Sequence, residues 1–293
     1  MFEEAQYFAP VTRDEHGAVT VELASGHPGF ADPVYRERRN AIARLALEHR
    51  RGDPLPEAAY TPEEHEVWRL VSAELDAKHR RYAAAEYLDA KARLRLPADR
   101  IPQLREVSGR LGALTGFNYL PAAGLVPLRE FYGSLADSLF HATQYIRHHS
   151  TPFYTPEPDV LHEVLGHGNA LASDRYAALY RAAGDAARRI ETEEALEFVS
   201  KVFWFTLEFG VVDEDGELKA YGAGILSSYG EIEEFRSMSI HPLDVRAMGS
   251  TAYDITKYQT DLFRAESLGH LEDVAGEFFA TCDDDSIAAL AHV

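Results

Sequence analysis

The sequence predicts a mainly α-helical fold with small β elements, and three observations lead there. Helix-start signals recur along the chain, strand signals are few and short, and the composition is that of a globular protein. Of its 293 residues, 46% are hydrophobic and 26% charged, with no internal repeat, low-complexity tract or clear linker. One large domain over residues 26–293 is expected, preceded by an arm.

Residues 1–25 show only weak periodicity and read as a loosely ordered N-terminal arm. Asp32 stands as an N-cap before Pro33, and Ile42, Leu45 and Leu47 are placed along one face of the helix that follows. Thr61-Pro-Glu-Glu64 is a capping box, opening a helix whose Val67, Leu70, Val71 and Leu75 face inward. Pro97 and Pro102 punctuate the chain before a helix over 103–114. Asn118-Tyr-Leu-Pro121 and Gly210-Val-Val212 read as strands, the second joined by the turn-like Asp213-Glu-Asp-Gly216 to Leu218-Lys-Ala-Tyr221.

The formal net charge of -19 opposes a nucleic-acid partner, because phosphate affinity comes from clustered Lys and Arg. No apolar run approaches the ~20 residues that cross a bilayer, so no membrane role is expected. The opening MFEEAQYFAP lacks the order of a secretory leader, and a cytoplasmic protein is expected. A single cysteine, Cys282, excludes an internal disulfide and a Cys-rich metal site, so a metal would rest on His, Asp or Glu.

The informative segment is Tyr154-Thr-Pro-Glu-Pro-Asp-Val-Leu-His-Glu-Val-Leu-Gly-His167, in which Asp159 can cap a helix carrying His162 and Glu163. His167 lies five residues after His162, which on a continuous α-helix turns it ~140° away. The two imidazoles converge only if the helix ends or loosens near Gly166. This is not the HExxH spacing of zinc proteases. Glu208 is a lone carboxylate in the aromatic stretch Phe203-Trp-Phe-Thr-Leu-Glu-Phe-Gly210, and its burial is costly unless it is paired or bound to metal. Two imidazoles and a carboxylate make the facial triad of non-haem Fe(II) oxygenases. On local evidence alone, a His or Glu within a helix is more often structural.

Taken together, the chain resembles the catalytic domain of the aromatic amino acid hydroxylases, and most of all their phenylalanine-hydroxylating members. The resemblance is carried, in family order, by His27-Pro-Gly-Phe-Ala-Asp-Pro-Val-Tyr-Arg36, Thr143-Gln-Tyr-Ile-Arg-His148, Tyr154-Thr-Pro-Glu-Pro-Asp159, His162-Glu-Val-Leu-Gly-His167, Trp204-Phe-Thr-Leu-Glu-Phe-Gly210 and Tyr221-Gly-Ala-Gly-Ile-Leu-Ser-Ser228. It implies that family's catalytic-domain fold. It implies that His162, His167 and Glu208 bind Fe(II) and carry catalysis, with Ser227 on a ligand imidazole at the substrate side. Gly124, Leu125 and Phe131 correspond to the pterin loop and its stacking ring, and His141 and Glu163 to further pterin contacts. Arg147, Thr155, Trp204 and Phe209 correspond to the amino-acid pocket, with Arg147 on the α-carboxylate. Tyr60 falls where the family has a mobile lid.

The reaction implied is hydroxylation of an aromatic amino acid with Fe(II), O₂ and a tetrahydropterin such as tetrahydrobiopterin, most simply L-phenylalanine to L-tyrosine. Meta-hydroxylation of phenylalanine and 5-hydroxylation of tryptophan are alternatives by the same chemistry. A silent binding homologue and a zinc hydrolase are competing readings, the first opposed by the intact triad and the second by the spacing. Gly168-Asn169 stands where the family continues Val-Pro, and is expected to loosen the wall beside the metal. Phe203 replaces a frequent tyrosine, and Pro127 and Leu128 replace small hydroxyl residues of the pterin loop. The family's regulatory domain and tetramerising tail are missing from the sequence, so a monomer is expected.

Overall fold

The computed structural model of the chain describes residues 9–255 and 257–291. Its helices begin where their caps are written. Asp32 accepts from the N–H groups of Val34 and Tyr35 at 2.8 and 3.1 Å, ahead of the helix Pro33–Glu48. Thr61 Oγ1 accepts from Glu64 N, and the Glu64 carboxylate accepts from Thr61 N, ahead of Pro62–Tyr82. That helix buries Val67, Trp68, Val71 and Leu75, with Leu70 half-buried. Leu47 departs from expectation and is exposed, because it lies five positions beyond buried Ile42, ~140° around the axis.

The loose arm expected over residues 1–25 is, from residue 9, a hairpin. Strands β1 (Val11–Arg13) and β2 (Val19–Val21) pair antiparallel. Ala9, Val19, Val21 and Leu23 are buried with Tyr35 and Ala43, and Asn40 Oδ1 accepts from Val21 N at 2.8 Å. Three-residue strands are too short to produce a readable alternation. Residues 1–8 lie outside the described residues.

Strand β3 (Asn118–Ala122) runs parallel to β4 (Leu139–Thr143), with Asn118 opposite Leu139 and Ala122 opposite Thr143. The crossover between them carries the helix Leu128–Leu135, which packs on Asp174–Arg189. Gly184 permits this approach, since a Cβ there would fall 2.2 Å from Ala136 N. A third sheet joins β5 (Val211–Glu214), β6 (Glu217–Ala220), β7 (Ser239–Pro242) and β8 (Asp261–Ala265) in the order β6-β5-β8-β7. In it β5 and β6 form the expected hairpin around Asp215 and Gly216, both at positive φ. The parallel strands β7 and β8 carry no strand signal in the sequence.

One continuous core runs from Val67 to Ile287 and is rich in buried aromatics, among them Trp68, Tyr87, Phe117, Tyr176 and Tyr180. Among the described residues, no helix is long and apolar enough to cross a membrane.

Candidate active site

The segment His162–Gly168 is a π-helical turn, whose hydrogen bonds run from i to i+5, so residues five apart stand about one turn apart. The helix therefore loosens at Gly166 without ending there, and continues to Leu171. Asp159 opens it, accepting from His162 N at 3.3 Å. A second π-helical turn, Trp204–Glu208, delivers Glu208, with Phe209 N donating to Trp204 O at 2.8 Å.

The three side chains converge. His162 Nε2 and His167 Nε2 are 3.0 Å apart. Glu208 Oε1 lies 2.9 Å from His167 Nε2, and Oε2 lies 3.9 Å from His162 Nε2. Donors ~2.1 Å from a common ion and at right angles to one another stand ~3.0 Å apart, so the set fits one metal ion. The far side of each ring is tied down. His162 Nδ1 is 2.8 Å from Ser227 Oγ, and His167 Nδ1 is 2.8 Å from Tyr180 OH. Ser227 donates its proton to Ala223 O at 2.8 Å, so its oxygen accepts from His162 Nδ1–H and leaves Nε2 bare. Burial, with the neighbouring His167, pushes the His162 imidazole down to about 4. Burial works against the Glu208 carboxylate, yet His167 and His162 hold its pKa below the usual range. A neutral His162 beside an ionised carboxylate is the form in which both act as metal ligands.

Two cavities meet at this triad. The smaller, about 50 Å³, is lined by Gly124, Leu125, Phe131, His141 and Glu163, together with Ala9 and Thr143. Glu163 is buried and accepts from Thr143 N and Oγ1, each at 3.2 Å, and burial pushes its carboxyl up to about 8. Burial also lowers His141 to about 4. The larger, about 240 Å³, is lined by Arg147, Thr155, Trp204, Phe209 and Ser227. Trp204 stacks on Tyr253 at 4.4 Å, leans on Phe209 at 4.5 Å and donates to Gln259 Oε1. Thr155 Oγ1 donates to Glu157 O at 2.8 Å.

The candidate metal, pterin and substrate residues thus border the triad or one of the cavities. Arg147 is also in an ion pair, its Nε and Nη2 donating to the buried Asp159 carboxylate at 2.8 and 2.9 Å. Tyr60 lines neither cavity, because its hydroxyl is fixed on Gln144 O at 2.8 Å. The Gly168-Asn169 wall is filled, not loosened. A Cβ on Gly168 would fall 2.6 Å from the Tyr119 hydroxyl, which donates to Glu163 O at 2.8 Å. Asn169 Nδ2 donates to Leu165 O at 2.9 Å and to Tyr87 OH at 3.2 Å. Phe203 likewise packs away from both cavities, against Tyr132 and Tyr180.

Sequence reasoning missed Tyr180, Phe153, Tyr229, Glu231 and Tyr258. Tyr180 shares a helix face with Tyr176 and looks like any core aromatic. The other four line the larger cleft from loops and short turns, where no period marks them.

A sequence profile described as biopterin-dependent aromatic amino acid hydroxylase matches residues 13–285. The phenylalanine 3-hydroxylase of Streptomyces coeruleorubidus is 56% identical over 264 residues, 90% of this chain and 95% of that protein. The phenylalanine-4-hydroxylase of Rattus norvegicus is 41% identical over 268 residues, 89% of this chain but only 58% of that protein. A crystal structure of Chromobacterium violaceum phenylalanine hydroxylase with bound iron(III) and 7,8-dihydrobiopterin matches with a TM-score of 0.73 at 27% identity, covering 81% of this chain and 90% of that one.

Proposed function

The chain belongs to the biopterin-dependent aromatic amino acid hydroxylases, and from that premise we propose that it hydroxylates L-phenylalanine at the meta carbon to give meta-tyrosine. It is a tetrahydropterin-dependent non-haem iron monooxygenase that uses O₂. The observation that carries the finer reading is the 56% identity, over nearly the full length of both chains, to a phenylalanine 3-hydroxylase. The para product expected from the sequence gives way to it, since the para-hydroxylating rat relative is 41% identical.

In this reading His162, His167 and Glu208 hold Fe(II). The iron and reduced pterin together supply the activation of O₂, a redox step that no side chain provides. The chain supplies positions. Arg147, held by Asp159 along its Nε–Nη2 edge, keeps Nη1 for the α-carboxylate of the substrate. Trp204 and Phe209 flank the ring, and Thr155 closes the same side. Phe131 offers a face to the pterin, and Glu163, whose side chain accepts only from Thr143 among the described residues, offers an acceptor to its N–H edge.

The test supplies Fe(II), tetrahydropterin and O₂ with phenylalanine or tryptophan and separates the products by chromatography. Meta-tyrosine is expected as the main product. Mainly para-tyrosine, or faster turnover of tryptophan, overturns the proposal.

A further inference from the structure

A second set of imidazoles and carboxylates converges outside both cavities. Asp32, His148 and His149 each offer one donor atom, and these lie within 4.8 Å of one another. Asp32 uses Oδ1 to cap its helix. Its Oδ2 stands 3.2 Å from His148 Nε2. Ser150 holds the His148 ring at Nδ1, its N–H donating at 3.3 Å and its Oγ lying 2.7 Å away, which turns Nε2 toward Asp32. His149 leans on His148 with ring centroids 4.2 Å apart and the rings tilted by 33°, and its Nδ1 lies 3.5 Å from Glu63 Oε2.

Charge favours a cation here. The carboxylates of Asp32 and Glu63 bring two negative charges, which a divalent ion neutralises. The charges of the nearby guanidinium groups are balanced by other carboxylates, Arg38 by Glu64 and Arg147 by Asp159. A cavity of about 70 Å³ opens beside the cluster, bordered by Asp32, Glu63 and His149 and by the Arg38 and Arg147 ion pairs, with His148 outside its wall. His149 and Glu63 are exposed, so an ion reaches the site from solvent and both side chains are free to close on it. Tetrahedral donors at ~2.1 Å from zinc stand ~3.4 Å apart, close to the Asp32–His148 and His149–Glu63 separations of 3.2 and 3.5 Å, and the exposed Glu63 side chain swings in to complete the set.

We propose that Asp32, His148 and His149, with Glu63 as fourth ligand, form a second metal site for a borderline divalent ion of the Zn²⁺ class, separate from the iron site. The mixed imidazole–carboxylate set suits such an ion better than Ca²⁺ or Mg²⁺, which take oxygen ligands. Bound there, the ion ties the starts of Pro33–Glu48 and Pro62–Tyr82 to the segment that carries Arg147.

The test dialyses the iron-loaded protein against micromolar Zn²⁺ and counts both metals by elemental analysis. Wild type should retain one zinc in addition to its iron. His149→Ala and Asp32→Asn should each lose that zinc while iron content and melting temperature stay near wild type for His149→Ala, which alters an exposed side chain. No retained zinc, zinc gained only as iron is lost, or zinc undiminished in both variants overturns the proposal.

Discussion

Removing the Ser227 hydroxyl takes away the acceptor that sets which nitrogen of His162 carries its proton. Partners of this kind are worth ~10- to 100-fold in metal affinity. Ser227→Ala should therefore weaken Fe(II) binding by about that factor, read by competition with a chelator, and an unchanged affinity would leave Ser227 with only its bond to Ala223 O in its own helix. Arg147 carries a double load. Its guanidinium balances Asp159, which is fully buried, and its remaining edge is assigned to the substrate carboxylate. Breaking a buried pair from one side costs ~3–5 kcal/mol, while a charge-assisted hydrogen bond to a ligand is worth ~1.5–3 kcal/mol. Arg147→Ala should thus lower the melting temperature and raise KM for phenylalanine ~10-fold or more. A raised KM with unaltered stability would mean that Asp159 finds another partner, and an unaltered KM would remove Arg147 from the substrate site.

The π-helical turn at His162–Gly168 is held by residues distant in the chain. Its Glu163 and Leu165 carbonyls take hydrogen bonds from Tyr119 and Tyr87, and Gly168 leaves the space that the Tyr119 hydroxyl fills. Overpacking a tight interior costs ~1–3 kcal/mol. Gly168→Val should destabilise the protein by about that much and weaken iron retention, and adding Tyr119→Phe should recover part of both losses, measured by thermal unfolding and metal analysis. If the double variant is no better than the single one, the crowding lies elsewhere. This turn also marks the limit of what was legible in the sequence. The five-residue spacing of HEVLGH showed that a regular helix fails there. Whether it breaks or widens was decided by two tyrosines far upstream, which no local pattern names. The caps at Asp32 and Thr61 were legible because cap and helix are contiguous. Strands β1, β2, β7 and β8 were not, since three to five residues carry no period and β8 is a strand only because β5 and β7 flank it. The roles assigned to Glu163, His141 and Thr155 came from family resemblance alone.

Stability of the whole molecule should depend on pH through His79. This imidazole is enclosed between Leu226 O at 2.6 Å and Lys91 Nζ at 2.9 Å. Burial, with the Lys91 charge adding to it, pushes its pKa down to about 3 from 6.5. The unfolded chain takes up a proton near pH 6.5 that the folded chain refuses until about pH 3. The stabilisation is therefore complete above pH 6.5 and is lost progressively as pH falls from there toward 3. Denaturant unfolding at pH 7.5 and pH 5 should show this loss in wild type and a smaller one in His79→Gln, and equal losses would assign the acid sensitivity to other groups. Leu125, Glu157 and Pro158 border both cavities, as do His162 and Glu208. A partition owned by two binding sites makes their occupants thermodynamic partners. Whatever factor a bound amino acid lends to pterin affinity by shifting that wall, bound pterin must return to the amino acid in equal measure.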